Sequence, residues 1–128
     1  MVESISQVKF EPMNDIHNNE VKVLNELLEA LKKETEIEEK FNLFLKDVEN
    51  HFSFEQELME KHNFFAKTPH KMEHDRVLNE LYDIKSANLS NQELLEYFNN
   101  YFIPWLQNHI NTMDTVTAGY FDMIGVKI

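Results

Sequence analysis

The chain has no cysteine, only two glycines and only three prolines in 128 residues. Without cysteine it cannot form disulfides, iron–sulfur clusters, thiolate zinc sites or covalent haem links. That fits a reducing compartment, and a cytoplasmic location is expected. The glycines, Gly119 and Gly125, both lie near the C-terminus, so a glycine-rich phosphate loop is excluded. With so few backbone breakers, long helices are favoured over many short strands. The N-terminal "MVESISQVKF" has no basic region leading into an apolar run, so no signal peptide is expected. No apolar stretch approaches the length needed to cross a bilayer. Basic residues are scarce as well: 12 Lys and Arg face 23 Asp and Glu, for a net charge of −11. A field of that sign disfavours nucleic acid and anionic lipid and favours metal cations, although most of the excess is a solvated helix surface.

What the chain does contain is apolar and aromatic bulk. Hydrophobic residues make up 42%, with ten Phe and four Tyr, enough to bury a core in one domain spanning residues 1–128. Residues 1–13 read as an extended arm ending at "EPM". Four helical stretches follow. The first runs from about Asp15 to Lys33, with Asn14 or Asp15 as N-cap and a stripe of Val21, Leu24, Leu28 and Leu31. The second runs from about Glu36 to Lys61, with Phe41, Phe44 and Val48 stepping along one face. The third opens at "TPHK", where Thr68 is expected to cap and Pro69 to take the first helical position; Val77, Leu81 and Ile84 form its stripe. The fourth opens at "SNQE", a capping box of Ser90 and Glu93, and continues through Leu94, Phe98, Phe102 and Trp105. Pro104 is expected to kink or divide it. Short connections make neighbouring helices antiparallel. The fold class is therefore all-α, an up-down-up-down four-helix bundle over residues 14–122.

Five of the six histidines fall on these apolar stripes. His17 is one turn before Val21, and His51 follows Val48 with Glu55 one turn later. His70 and His74 lead into Val77, and His109 follows Trp105. Each helix thus points at least one imidazole into the core. Their heights agree for two pairs, His17 and His51 lying at similar distances from a turn near residues 34–35 and His70 and His109 doing likewise about one near Asn88, while the remaining pair of helices agrees less well. Five unpaired core imidazoles and a buried carboxylate would be costly without compensation, so a buried metal site is expected. His62 lies outside the cluster and reads as a surface residue.

The kind of site is narrowed by exclusion. No Glu stands three residues before any His, so the Glu-x-x-His signature of ferritin-like di-iron bundles is missing. "HKMEH" is not the His-Glu-x-x-His of zinc proteases, and there is no nucleophile elbow. Five imidazoles and two carboxylates are too many donors for one ion, so two metals are expected, with iron, copper, nickel and zinc all suited to such ligands. A carboxylate between two cations can bridge them, which would neutralise Glu55. The second carboxylate is Asp114, five residues after His109. In a regular α-helix that spacing leaves the two about 140° apart. Both can face one site only through a π-bulge or a helix end.

In order along the chain, these motifs resemble the hemerythrin family: His17 in the first helix, "HFSFE" in the second, "HKMEH" in the third and "WLQNHINTMD" in the fourth. The resemblance covers about residues 14 to 122 and is to a stand-alone bacterial member. The chain departs from the family pattern in three places. Ile16 stands where Gln is usual before the first His, Gln56 replaces a frequent second Glu, and a common N-terminal Trp is missing. The resemblance implies a non-haem centre of two iron ions joined by a solvent-derived oxo or hydroxo bridge, binding O2 reversibly. His70, His74 and His109 would hold one iron, His17 and His51 the other, and Glu55 and Asp114 would bridge them. One position on the second iron would stay open for O2, with Leu106 and Trp105 as candidate pocket residues. It implies an O2 carrier, store or sensor that is not an enzyme; a di-iron protein handling peroxide or nitric oxide is the alternative. A monomer is expected.

Overall fold

The computed structural model describes residues 2–128, and its backbone is an all-helical bundle. Helix α1 is Glu11–Lys33, α2 is Ile37–Lys61 and α3 is Lys67–Ser86. The fourth helix, α4, spans residues 91–124 and is composite. α-helical segments Asn91–Tyr97, Ile103–His109 and Thr115–Ile124 are joined by two π-helical turns, Phe98–Phe102 and Ile110–Asp114. The helices run up, down, up and down, as their short connections require. With glycine scarce, the turns use other residues in left-handed geometry: Glu34 (φ 57°), Glu36 (φ 56°), Asn63 (φ 50°) and Asn88 (φ 56°). Only Gly125 (φ 71°) uses glycine's freedom, in the helix-ending position where it is most favoured.

Helix starts differ from the sequence expectation at two points. Helix α1 begins at Glu11 rather than near Asp15, with Pro12 inside its first turn, where the missing N–H would have had no intrahelical partner. Asn14 does not cap. Its amide clamps the arm instead, accepting from Val8 N (2.8 Å) and donating to Val8 O (2.9 Å). Helix α3 begins at Lys67 without a side-chain cap, so Thr68 is not its N-cap and Pro69 is its third residue. Backbone bonds from Lys67 N to Phe64 O and from His70 N to Ala66 O wind that turn early, and proline is tolerated anywhere in it. The Ser90–Glu93 capping box does form. Pro104 does not divide α4: Phe102 and Ile103 keep helical dihedrals, and the π turn just before the ring accommodates it.

The core is one continuous cluster. Leu24, Leu27, Leu28 and Leu31 of α1 meet Phe41, Phe44 and Val48 of α2, Val77 and Leu81 of α3, and Phe98 and Phe102 of α4. Phe44 packs edge-on against Phe98 and Phe102, at ring separations of 5.7 and 5.3 Å. The arm seals one side, held at its far end by reciprocal bonds between Val2 and the Asn25 amide. No helix among the described residues is long and apolar enough to cross a membrane.

Candidate metal centre

All seven sequence-nominated donors meet at one level of the bundle, and all are buried. His17 comes from α1, His51 and Glu55 from α2, His70 and His74 from α3, and His109 and Asp114 from α4. The π turn at Ile110–Asp114 brings the last pair together. Its wider turn absorbs one residue, so that a spacing of five brings two side chains to the same face. His62 lies outside the cluster, its ring beside Phe121 and its carbonyl accepting from Tyr120 Oη at 2.8 Å.

The donors fall into two groups sharing both carboxylates. Glu55, His70, His74, His109 and Asp114 form one; His17, His51, Glu55 and Asp114 form the other. Within each, one atom per residue lies within 4.8 Å of the others. Each carboxylate divides its oxygens between the groups. Glu55 Oε2 lies 2.7 Å from His51 Nε2 and 3.4 Å from His17 Nε2, while Oε1 lies 3.4 and 3.5 Å from His74 and His70. Asp114 Oδ2 lies 3.1 Å from His17 Nε2, and Oδ1 lies 3.1 and 3.2 Å from His70 and His109.

Hydrogen bonding alone does not satisfy this cluster. Both His17 ring nitrogens, Glu55 Oε1 and both Asp114 oxygens are buried without a hydrogen-bond partner. The Nε2 atoms of His70 and His74 each sit 3.2 Å from His109 Nε2, where three imidazoles cannot all donate. Lone pairs aimed at one another with buried carboxylates between them fit a cation at each group.

Outside the cluster, other side chains orient the rings. Thr117 Oγ1 donates to Met113 O (2.9 Å) and so accepts from His70 Nδ1 (2.8 Å), turning the His70 Nε2 lone pair inward. His51 Nδ1 donates to Glu20 Oε1 at 2.7 Å with the same effect. The Gln56 amide lies 3.2 Å from His74 Nδ1 and accepts from it when its oxygen faces the ring. Phe52 stacks on His74 (3.9 Å, 2°) and Trp105 on His109 (4.6 Å, 18°). These partners are not legible as a motif, although Glu20 has one signal: it lies three residues after His17 on the buried face. Of the two candidate pocket residues, Leu106 is buried in the core, while Trp105 is half-buried against His109.

In the metal-free protein, protons occupy the place a cation would take. Burial depresses His17, but Asp114 and Glu55 outweigh it and bring it up to about 9. His70 likewise rises to about 9 through the same two carboxylates. Burial is also overcome at His51, which Glu55 and Glu20 hold well above the ordinary value. His74 goes down, through burial and the charges of His70 and His109. Burial would raise Glu55 and Asp114, yet the surrounding imidazoles hold both well below the usual carboxylate range. The cavity is built around positive charge.

The chain matches the family profile described as Hemerythrin HHE cation binding domain over residues 9–120. It is 35% identical over 111 residues to a protein named Bacteriohemerythrin from Aquifex aeolicus (strain VF5), an alignment covering 83% of this chain and 85% of that protein. No solved structure gives a significant match. The profile takes in every donor from His17 to Asp114, and on that match and the curated relative, this chain belongs to the hemerythrin family.

Proposed function

We propose that this protein binds O2 reversibly at two iron ions held by the seven buried donors. The observation that carries the reading is the division of Glu55 and Asp114, each with one oxygen toward imidazoles of the α3–α4 group and the other toward imidazoles of the α1–α2 group. Two carboxylates arranged so are suited to span a pair of cations, and the mixed imidazole and carboxylate set suits iron. The relative's printed name, Bacteriohemerythrin, points the same way. Bound there, an iron pair supplies the electrons that reversible O2 binding requires.

The chain's own residues do the rest. His70, His74 and His109 with the two carboxylates give one metal five donors; His17 and His51 with the same carboxylates give the other four. The poorer set is the one left with room for an external ligand. Glu20 and Thr117 keep the His51 and His70 lone pairs inward, and Gln56 does the same for His74 when its amide oxygen faces the ring. Buried Leu106, Phe52 and Ile110 exclude water around the cluster, which protects a reduced centre from losing its ligand irreversibly. Leu106, buried in the core, is our candidate neighbour of the open position, whereas Trp105 stacks on His109 of the five-donor group.

The test is a visible spectrum of iron(II)-reconstituted protein before air, after air and after purging with argon. Colour that forms in air and disappears on purging is expected. Colour that persists would indicate irreversible oxidation and favour a redox enzyme handling peroxide or nitric oxide. No colour would overturn the metal assignment.

A further inference from the structure

We propose that Trp105 is the port through which electrons from an external reductant reach the centre when its iron has become oxidised. The inference rests on the di-iron reading above and assigns a residue to a step which that reading leaves open: recovery of the reduced, O2-competent form. Trp105 is the chain's single tryptophan. Its inner face lies over His109 with ring centroids 4.6 Å apart and planes 18° from parallel. Its indole N–H donates to Glu73 Oε1 at 2.8 Å, and that carboxylate is itself gripped by Arg76 Nη2 at 2.6 Å. The ring is therefore fixed from both sides, by stacking within and by an ion-paired acceptor without.

Its outer edge is open. Trp105 lines a surface cavity of about 140 Å³ together with Arg76, Tyr97, Tyr101 and Phe102. Tyr101 is 67% exposed there and stacks on Tyr97. Phe52, the other aromatic ring against the donor imidazoles, is only 3% exposed. Among the described residues, Trp105 is thus the one non-histidine π system that touches a donor imidazole and also reaches the surface. A planar aromatic reductant such as a reduced flavin can lie against this aromatic rim. The flavin gives up two electrons, one to each iron(III), and its protons pass to solvent; iron is reduced and flavin oxidised. Trp105 couples donor to His109 without itself being consumed.

The experiment follows anaerobic bleaching of the iron(III) absorption of the oxidised holoprotein by photoreduced riboflavin in a stopped-flow instrument. Trp105→Leu is expected to slow reduction by about tenfold or more, and Trp105→Phe, which keeps a ring on His109, by only about two- to threefold. Rates are compared at equal iron occupancy, and Trp105→Phe, which keeps a ring over His109, should retain the parental iron content and iron(III) spectrum while still slowing reduction by riboflavin, a split that a merely structural role would not produce. Dithionite, small enough to approach elsewhere, should reduce Trp105→Leu nearly as fast as the parent. Zinc(II) added to metal-free protein should alter Trp105 emission, because His109 beneath it becomes coordinated. An intact, coloured centre reduced by riboflavin at the parental rate in Trp105→Leu overturns the port alone. Equal slowing with dithionite, or emission indifferent to bound zinc, overturns it too. A parent protein that takes up no iron overturns the di-iron reading, and the port falls with it.

Discussion

The two donor groups of this centre are built to different standards. In the group from α3 and α4, each imidazole is held from behind: His70 by Thr117, His74 by Gln56 and the face of Phe52, His109 by the face of Trp105. In the group from α1 and α2, His51 is anchored by Glu20, but His17 Nδ1 has no partner, and the two rings meet only edge-on at 5.0 Å. A ring whose tautomer and orientation are fixed in advance loses less freedom on binding a metal. On the proposed di-iron reading, the well-braced group would hold its ion more firmly and the looser one would be where an external ligand exchanges.

The largest effect should come from removing what both groups share. Glu55→Ala takes one oxygen from each, leaving the inward Nε2 atoms of His51 and His74 without the Glu55 carboxylate. Neither metal should survive dialysis, a loss beyond the roughly 10–100-fold that deleting an outer partner costs. Metal analysis of the dialysed protein checks it; retention of one ion would mean that the groups are independent despite the shared carboxylate. His17→Ala should be milder. It touches only the looser group, so the braced group should keep its ion and the metal content should fall by half. Loss of both would break the comparison, since the braced group would then depend on the other.

Most of this centre was legible because its donors obey helix periodicity. A residue on an apolar stripe points inward whatever its chemistry, so five histidines and Glu55 announce their own burial. Asp114 breaks that period, and it was recoverable only because its mismatch with His109 demands a non-α turn, which Ile110–Asp114 supplies. The bracing residues were not legible. Thr117 faces His70 across 47 positions and Glu20 faces His51 across 31. Nothing local in either sequence specifies which ring it meets; that depends on helix rotation and height. The starts of α1 and α3 escaped for a related reason. Pro12 and Pro69 fit anywhere in a first turn, so they mark a helix start only to within a few residues.

Bracing can be tested directly. Thr117→Val removes the acceptor of His70 Nδ1–H while keeping the shape, and Glu20→Gln removes the charge that supports His51. Each should weaken metal binding about 10–100-fold. Glu20→Gln should cost more, because a charged acceptor makes the stronger bond. Competition against a chromophoric chelator, with zinc(II) as the probe, would rank them. Equal affinity for Thr117→Val and the parent would show that stacking and packing alone brace the α3–α4 group.

The smallest effect concerns pH, because burial cost and ion pairing partly cancel within the cluster. In the metal-free protein, His17 and His70 are raised from 6.5 to about 9. A raised folded pKa means that the folded state binds the proton more tightly, so this stabilisation is complete below about pH 6.5 and disappears as pH rises through about 9. Glu55 and Asp114 are depressed below 4.5 and 3.8. Their contribution is present above those values and lost as pH falls below them. Metal-free protein should therefore resist urea best between about pH 5 and 6.5 and weaken toward pH 9. The metal-loaded form should behave oppositely over the same range, since a cation needs the imidazoles deprotonated. It should gain stability toward pH 9, and it should lose its metal between about pH 6 and 4 as the histidines protonate. Urea midpoints of both forms at about pH 6 and 9 should move in opposite directions. Parallel slopes would mean that the imidazoles facing Glu55 and Asp114 do not exchange protons for metal, and that the two donor groups hold something other than cations.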